Sequence, residues 1–547
     1  MSKSTYRETI NMKTINMKKI KCLTHAKIAA QTGLLALLVV LGFGLPQRAS
    51  AIGAGDADAM INGYNNAFLV TSGTSARYKT SLSNSNADLR YLQALDIMGE
   101  EDAYERTGSA AHKVLVNNLC ATFLQDYPEQ NTSQPWSWDG WNDDIGWYSI
   151  ILARGYQMTG NTNFLTAAED GFNYAYNRGW DTKWNGGGIW EQQIEYCKNG
   201  ATIDKETLSN DTVGILGCLL YQSSHDATYL NKAQQIYNWM WHTLYNSSTG
   251  EVYTGVYQNG SLVQDGSVPA SAVYNQGTFV DYANYLYQIT GNATYYNDAV
   301  RTINYTKNNM TTGGVISDPN LGHNTWADTF ARGLGHFVRD NRQWATYYPW
   351  MVQNANAIMS SRRTDYNITW NAWAQQTPTD NTLGTSKFVS AVAWLQFTPA
   401  TQPNAIAGVH VIVSQQNGIA VDNGGLFTSP NGTPAGVIQY GPSANNLNQK
   451  WVFSQNADSS WNIVSESSWQ ALDDPGGSTT NGTQMVQWPL SRASNQRWWV
   501  DQQPNGSYKI WNQASSSALD NSSSAVNNHP LVQWGWSGQP QQLWLLQ

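Results

Sequence analysis

Asn161-Thr-Asn-Phe-Leu-Thr-Ala-Ala168, Asp226-Ala-Thr-Tyr-Leu-Asn-Lys-Ala233 and Asn292-Ala-Thr-Tyr-Tyr-Asn-Asp-Ala299 are three copies of one helix start. Each opens on Asn or Asp, whose short side chain can accept from the unpaired amides of a first helical turn. An aromatic follows at the fourth position and an Ala at the eighth, four residues apart and so on one face. The copies recur at intervals of 65 and 66 residues, and a weaker one, Asp102-Ala-Tyr104, lies 59 residues before the first. One such period holds two helices and their connections.

Helical apolar spacing surrounds these starts from Ala87 to about Trp394. Leu89, Leu92 and Leu95–Met98 form one stripe; Val114, Leu115, Leu119 and Phe123 form another. Residues 52–398 hold between five and six hairpins of this length, which predicts an all-α (α/α)6 barrel. An open helical solenoid is the competing arrangement, but solenoid repeats are usually shorter and more regular.

The composition changes at Gln396-Phe-Thr-Pro-Ala-Thr-Gln-Pro403, suited to an extended linker, placed at 399–407. Beyond it the period becomes that of short strands, as in Val409–Val413, Trp461–Val464 and Tyr508–Trp511, separated by Gly, Asn and Ser. Three elements then repeat in register through 408–547. They are a hydrophobic–Asp pair (Val421-Asp422, Leu472-Asp473, Leu519-Asp520), an aromatic (Tyr440, Trp488, Trp534) and a Gln-x-Trp run ending at Trp451, Trp498 and Trp544. An all-β domain of three equivalent units follows.

At the other end, Lys13, Lys18, Lys19, Lys21 and Lys27 precede the apolar run Gly33–Leu45, and Ala49-Ser50-Ala51 offers a small-x-small cleavage pattern. The run is shorter than the roughly 20 residues a spanning helix needs. Residues 1–51 are therefore expected to be a secretory signal peptide, giving a secreted protein with no membrane attachment after cleavage. Their loss removes eight basic residues and one acidic, taking the formal charge from −8 to about −15. No basic block remains to neutralise phosphates, so nucleic acid is not expected as a partner, and a neutral one fits best. Of the four cysteines, Cys22 leaves with the signal; Cys120, Cys197 and Cys218 allow at most one disulfide, with its pairing open.

The chain holds 25 Trp and 29 Tyr but only 12 Phe, an excess of rings that carry a hydrogen-bonding edge. They are densest in Trp136-Ser-Trp-Asp-Gly-Trp-Asn-Asp-Asp-Ile-Gly-Trp147. Asp143 and Asp144 within it offer two carboxyls at the spacing glycoside chemistry needs. Neighbouring Cα atoms lie about 3.8 Å apart, and side chains from them can splay to about 5 Å, the separation of a retaining pair. Like charges so close raise one pKa, keeping one acid protonated near neutrality. No metal-ligand spacing of His, phosphate loop or Gly-Ser nucleophile elbow is present, and neither a cofactor nor a metal is expected. His323 and His336 read as core or surface histidines.

The Trp/Asp stretch resembles the signature of glycoside hydrolase family 76, whose members act on α-1,6-linked mannan. Gly186-Gly-Gly-Ile-Trp190, Lys205-Glu-Thr-Leu-Ser-Asn210, Tyr274-Asn-Gln-Gly277 and, more loosely, Phe330-Ala-Arg-Gly-Leu-Gly-His-Phe337 are similar to later elements of that family, in order. The resemblance covers residues 60–395 and implies the barrel fold. It also implies Asp143 as nucleophile and Asp144 as acid/base, with Trp138, Asp139, Trp141, Trp190, Asn210, Tyr274 and Asn275 lining sugar subsites. Gly186–Gly188 reads as a turn at positive φ. Glu206 and Arg332 depart from the family pattern, which usually has Asn and Lys there.

The three C-terminal units resemble a ricin-type β-trefoil lectin. That resemblance implies Asp422, Asp473 and Asp520 as hydroxyl acceptors, Tyr440, Trp488 and Trp534 as stacking platforms, and Asn448 and Asn495 as helpers, with the Gln-x-Trp tryptophans in the core. Ile438, Val486 and Val532 stand where many binding copies carry a polar residue, and the family's common disulfides are absent. The expected protein is a monomeric, secreted, retaining endo-α-1,6-mannanase held on α-mannan or another neutral polysaccharide by its lectin module. A transglycosylase using the same residues and a non-catalytic mannan-binding protein are the alternatives.

Overall fold

The computed structural model describes residues 51–127, 136–192, 204–263, 270–316, 327–425, 435–443 and 445–547. All of them belong to one compact unit, Ala49–Gln547. The expected signal peptide (apart from Ala51), Cys197 and His323 lie outside the described residues.

Twelve described helices alternate between two kinds. Helices α1 (Asp56–Phe68), α3 (Ala110–Asp126), α5 (Thr162–Gly179), α7 (Ala227–Thr243), α9 (Ala293–Asn309) and α11 (Trp344–Ser360) form the outer set. In α5 the buried residues Phe164, Ala167, Ala168, Gly171, Phe172, Ala175 and Tyr176 make a single stripe, as an amphipathic surface helix requires. Helices α2 (Arg90–Thr107), α4 (Asn142–Thr159), α6 (Thr207–Ser224), α8 (Val273–Thr290), α10 (Ala327–Asp340) and α12 (Ser386–Phe397) are buried nearly all round. Each of these packs on the next, and α12 packs back on α2, so the inner set closes a ring. Gly277 permits the tight crossing of α8 and α10, because a Cβ there would strike the Phe330 backbone.

The repeated motif marks the outer helices. Asn161, Asp226 and Asn292 cap α5, α7 and α9, accepting from the amides of Asn163, Thr228 and Thr294 at 3.2, 2.8 and 3.0 Å. The weaker copy is not a helix start. Asp102 lies inside α2, fully buried, paired with Arg154 at 2.8 Å and Arg332 at 2.7 Å. The corresponding cap is Ser109, after Gly108 ends α2 in the left-handed region. Leu89 and Val114, expected in apolar stripes, are 61% and 60% exposed. Leu89 precedes the first turn of α2, and Val114 is on the solvent side of α3.

The C-terminal domain begins with strand Gly408–Ser414 and repeats one pairing pattern three times. Trp451, Trp498 and Trp544 are fully buried at its centre. Their indole N–H groups donate to the carbonyls of Val421, Leu472 and Leu519 at 3.1, 3.0 and 3.1 Å. Each tryptophan thereby fixes the residue immediately before Asp422, Asp473 or Asp520.

The β domain is seated on the helices, not suspended from them. Lys450 Nζ donates to the Gln288 carbonyl and side chain at 2.6 and 2.9 Å, Arg492 to the Arg106 carbonyl at 2.9 Å, and Arg342 to His410 Nδ1 at 2.7 Å. Leu490 fills the space left by the missing side chain of Gly108. Gly108, Gln288 and Arg342 all stand at the C-terminal ends of inner helices. Burial and Arg342 push His410 down to about 4, so a neutral ring accepts that bond.

Between the two ends, charged groups fill the ring. Arg154 pairs with Glu101 at 3.0 Å and Asp102 at 2.8 Å, and His336 with Asp281 at 2.7 Å. Asp281 and Glu105 outweigh the desolvation of His336 and hold it protonated, up to about 9. It is a core histidine with acidic partners. Cys120 and Cys218 are buried free thiols, and no described helix is long and apolar enough to cross a membrane.

Candidate active site

A cavity of about 350 Å³ opens at the N-terminal ends of the inner helices, within the size range of ligand pockets. Tyr91, Asp143, Leu208 and Tyr274 line it, each the second residue of its inner helix. Leu95, Trp141, Asp144, Trp147, Glu191 and Thr329 complete the lining. Trp141 is 42% exposed, a ring face held open beside the acids.

Asp143 and Asp144 occupy the first turn of α4, where unpaired helical amides favour negative charge. Asp139 shapes the approach: its Oδ1 accepts from the Trp141 amide at 2.9 Å, turning the chain into the helix. Its Oδ2 accepts from the Tyr148 hydroxyl at 3.0 Å, and Tyr148 also reaches Asp144. Asp143 accepts from backbone amides of the turn, while its Oδ1 is buried and, among the described residues, has no hydrogen-bond partner.

Both acids are displaced upward. Burial, then the charges of Asp139 and Asp204, raise Asp143 to about 7 against the pull of the backbone amides. Burial and the Asp143 charge carry Asp144 further, to about 9. Asp143 therefore loses its proton first and Asp144 keeps one, the division of labour a glycoside acid/nucleophile pair needs.

A third carboxyl joins them. The Asn142 amide donates to the Glu191 carbonyl at 2.8 Å, and the Asn142 side chain donates to the Trp190 carbonyl at 2.7 Å. From the other side Asn210 grips Ile189, accepting from its amide at 2.8 Å and donating to its carbonyl at 3.1 Å. These clamps bring Glu191 into the cleft. Carboxyl oxygens of Glu191, Asp204 and Glu206 lie within 4.8 Å of one another, the one grouping among the described residues with metal-ligand geometry. Three such groups must share protons or hold a cation. Burial and the charges of Glu206, Asp204 and Asp143 push Glu191 up to about 11.

Of the residues expected at sugar subsites, Trp141 and Tyr274 line the cavity and the other five are not among its lining residues. Trp138 stacks on Tyr148 at 5.6 Å, beneath the Arg90 guanidinium. Asp139 is 5% exposed and committed to the turn. Trp190 is buried, donating to Asp181 at 3.0 Å under the Lys205 ammonium. Asn210 is a backbone clamp, and buried Asn275 donates to Thr254 at 3.0 Å. Gly186 and Gly188 do take positive φ, 71° and 89°, packed against Trp239 at the second. Tyr91, Leu95, Trp147, Glu191, Leu208 and Thr329 were missed. A signal for some of them was available: Tyr91, Asp143, Leu208 and Tyr274 each stand 18 residues before the caps Ser109, Asn161, Asp226 and Asn292.

In the β domain, Tyr440, Trp488 and Trp534 are 40%, 37% and 45% exposed. Asp473 receives Asn495 at 3.0 Å and Gln496 at 2.7 Å. Asp422 receives Gln449 and, in place of the expected Asn448, Asn446, each at 3.1 Å. Asn448 instead accepts from Ser467 at 3.0 Å. Asp520 accepts from the Ser522 amide at 2.6 Å and is bonded to Gln542.

A closed ring of helices with paired carboxyls at one end, joined to a threefold β domain, defines a carbohydrate-active protein of two modules. Residues 65–407 match glycosyl hydrolase family 76, and the chain belongs to that family. Residues 447–534 match the ricin-type β-trefoil lectin domain-like family.

Among curated proteins, a putative mannan endo-1,6-α-mannosidase of Schizosaccharomyces pombe is 26% identical over 239 residues, 42% of this chain. The match spans about half of that relative, 52% of its length. Among solved structures, an inactive α-1,6-mannanase variant from Salegentibacter sp. HEL1_6, with two consecutive aspartates replaced by alanine and α-1,6-mannotetrose bound, is 20% identical with a TM-score of 0.54. That similarity covers 63% of this chain and 98% of the other. A family 76 mannosidase from Bacteroides thetaiotaomicron VPI-5482 is 17% identical with a TM-score of 0.52, covering 63% and 98%.

Proposed function

We propose that this protein is a secreted, retaining endo-α-1,6-mannanase whose helical ring is an (α/α)6 barrel and whose trefoil holds it on polysaccharide. The observation that carries the reading is the consecutive pair Asp143–Asp144 in the first turn of α4, facing the cleft with staggered proton affinities. The inactive mannanase variant lacks two consecutive aspartates, the same arrangement.

An α-mannan segment lies across the cleft against Trp141 and Tyr274. A carboxylate oxygen of Asp143 attacks the anomeric carbon as Asp144 gives its proton to the departing glycosidic oxygen. Asp144, now ionised, takes a proton from water, which releases the glycosyl–Asp143 ester. Two inversions leave the anomeric configuration unchanged. The protonated Glu191 carboxyl supplies a hydrogen-bond donor to a sugar hydroxyl without adding charge.

Product analysis on linear α-1,6-mannan with wild type, Asp143→Ala and Asp144→Ala tests the reading. Both variants are expected to lose cleavage by at least about 10³-fold. Undiminished cleavage by either overturns the role given to that residue, and no cleavage by wild type overturns the activity.

A further inference from the structure

The threefold repeat of the β domain places three sets of equivalent residues side by side, and one set differs in kind. Reading across paired strands, Val452 faces Val464, Ala471 and Trp488. The next copy of that row is Trp499, Trp511, Ala518 and Trp534. The last is Leu545, Val413, Ala420 and Tyr440. Two residues beyond the final aromatic stand Leu490, Trp536 and Pro442 respectively. Directly paired residues project from the same face of a sheet, so each row is one continuous strip.

In the first copy the strip is aliphatic apart from Trp488, and Val452, Val464 and Leu490 face the helical domain, with Leu490 against Gly108. In the last it is aliphatic again. Only the middle copy carries three extra tryptophans, and packing does not require them, since Val and Leu serve at the sister positions. Trp536 is 38% exposed, Trp499 and Trp511 are half-buried, and the last two rings lie 6.0 Å apart. Lys509 Nζ sits 4.5 Å from the Trp511 ring centre and 4.8 Å from that of Trp536. Asp501, paired with Lys509 in register, accepts from the Trp511 indole at 2.7 Å.

We propose that Trp499, Trp511 and Trp536 form a second binding platform for a neutral polysaccharide, continuous with the single-sugar site of Asp520 and Trp534. The rings offer apolar faces to sugar C–H groups, while Lys509 and Asp501 offer a donor and an acceptor whose charges offset. The balanced pair selects against an anionic ligand. The strip's continuity with Trp534 extends binding from one sugar to a run of them. This inference rests on the reading of the β domain as a sugar-binding module.

The test uses the full chain carrying Asp143→Ala and Asp144→Ala, so that bound polymer is not consumed. Affinity electrophoresis with α-1,6-mannan, xylan and dextran is compared for that parent, for Trp536→Ala, for Trp499→Leu with Trp511→Leu, and for Asp520→Ala. Melting curves confirm folding, and the leucines are aliphatic like Val452 and Leu545 at the positions equivalent to Trp499 and Val464 and Val413 at those equivalent to Trp511. The platform variants are expected to weaken polymer binding about tenfold or more, leaving single-mannose binding, measured calorimetrically, unchanged. Asp520→Ala is expected to abolish the contribution of the single-sugar site. Polymer binding unaltered in the platform variants overturns the platform while leaving the lectin reading intact. A parent that binds no neutral polysaccharide overturns the lectin reading itself. Self-association of the parent that disappears in Trp536→Ala reassigns the strip to contact between copies.

Discussion

The amide of Asn142 donates to the carbonyl of Glu191 at 2.8 Å, and this bond ties the segment that delivers a third carboxyl to the helix that carries Asp143 and Asp144. Burial and neighbouring acids keep Glu191 protonated through the neutral range. Glu191→Gln, a neutral isostere, is expected to retain kcat/KM within about threefold at pH 7, whereas Glu191→Ala loses about tenfold by removing the donor. Steady-state kinetics on α-1,6-mannan oligosaccharides checks this. Equal losses in both variants would show that the ionised form is needed.

The pH profile follows from the ordering of Asp143 and Asp144. Under the proposed mechanism activity requires Asp143 ionised and Asp144 protonated, so kcat/KM should be bell-shaped with limbs near 7 and 9. The charge of Asp139 raises both groups. Asp139→Asn is therefore expected to move both limbs to lower pH, by about one unit. A profile that stays in place would remove Asp139 from the electrostatics of the site.

The same shifts carry a cost in stability. A carboxyl whose folded pKa is raised contributes fully below its unfolded value, and that contribution is lost as pH rises through the folded value. Asp143 and Asp144 therefore destabilise the fold above about pH 7 and 9 relative to their behaviour at pH 4. Asp144→Asn is expected to raise Tm by about 1–3 °C at pH 8 and to leave it unchanged at pH 4. Calorimetry at the two pH values checks the sign.

The catalytic cleft and the β domain lie at opposite ends of 18-residue inner helices, about 27 Å apart at a rise of 1.5 Å per residue. A sugar bound on the β domain would therefore lie too far from the cleft to lengthen it; under the proposed function the trefoil acts as a tether. Lys450 is buried at the junction, and its loss leaves the Gln288 carbonyl unpaired. Lys450→Ala is expected to cost about 1–3 kcal/mol and to split one thermal transition into two. Cleavage of short soluble oligosaccharides should remain unchanged.

Much of this was legible in the sequence because hairpin repeats advertise themselves through caps. Asn161, Asp226 and Asn292 are caps because exposed helix starts need side-chain acceptors. Asp102 mimicked one because buried charge, here facing Arg154 and Arg332, uses the same residue type. The cleft was harder to read than the ring. Asn210 and Asn275 carry subsite-like chemistry but spend it on backbone and on Thr254, a choice that depends on contacts across 21 residues in each case. Glu191 was hidden because its position is set by Asn142 and Asn210 from two different helices.

The central claim is double displacement by Asp143 and Asp144, and the most direct measurement is the anomeric configuration of the first product. Proton NMR during early cleavage of an α-1,6-linked mannan oligosaccharide should show the α-anomer appearing first, with β forming only as mutarotation proceeds. First-formed β-anomer would contradict the account, requiring a water between the acid and its partner and a catalytic base other than the neighbouring aspartate.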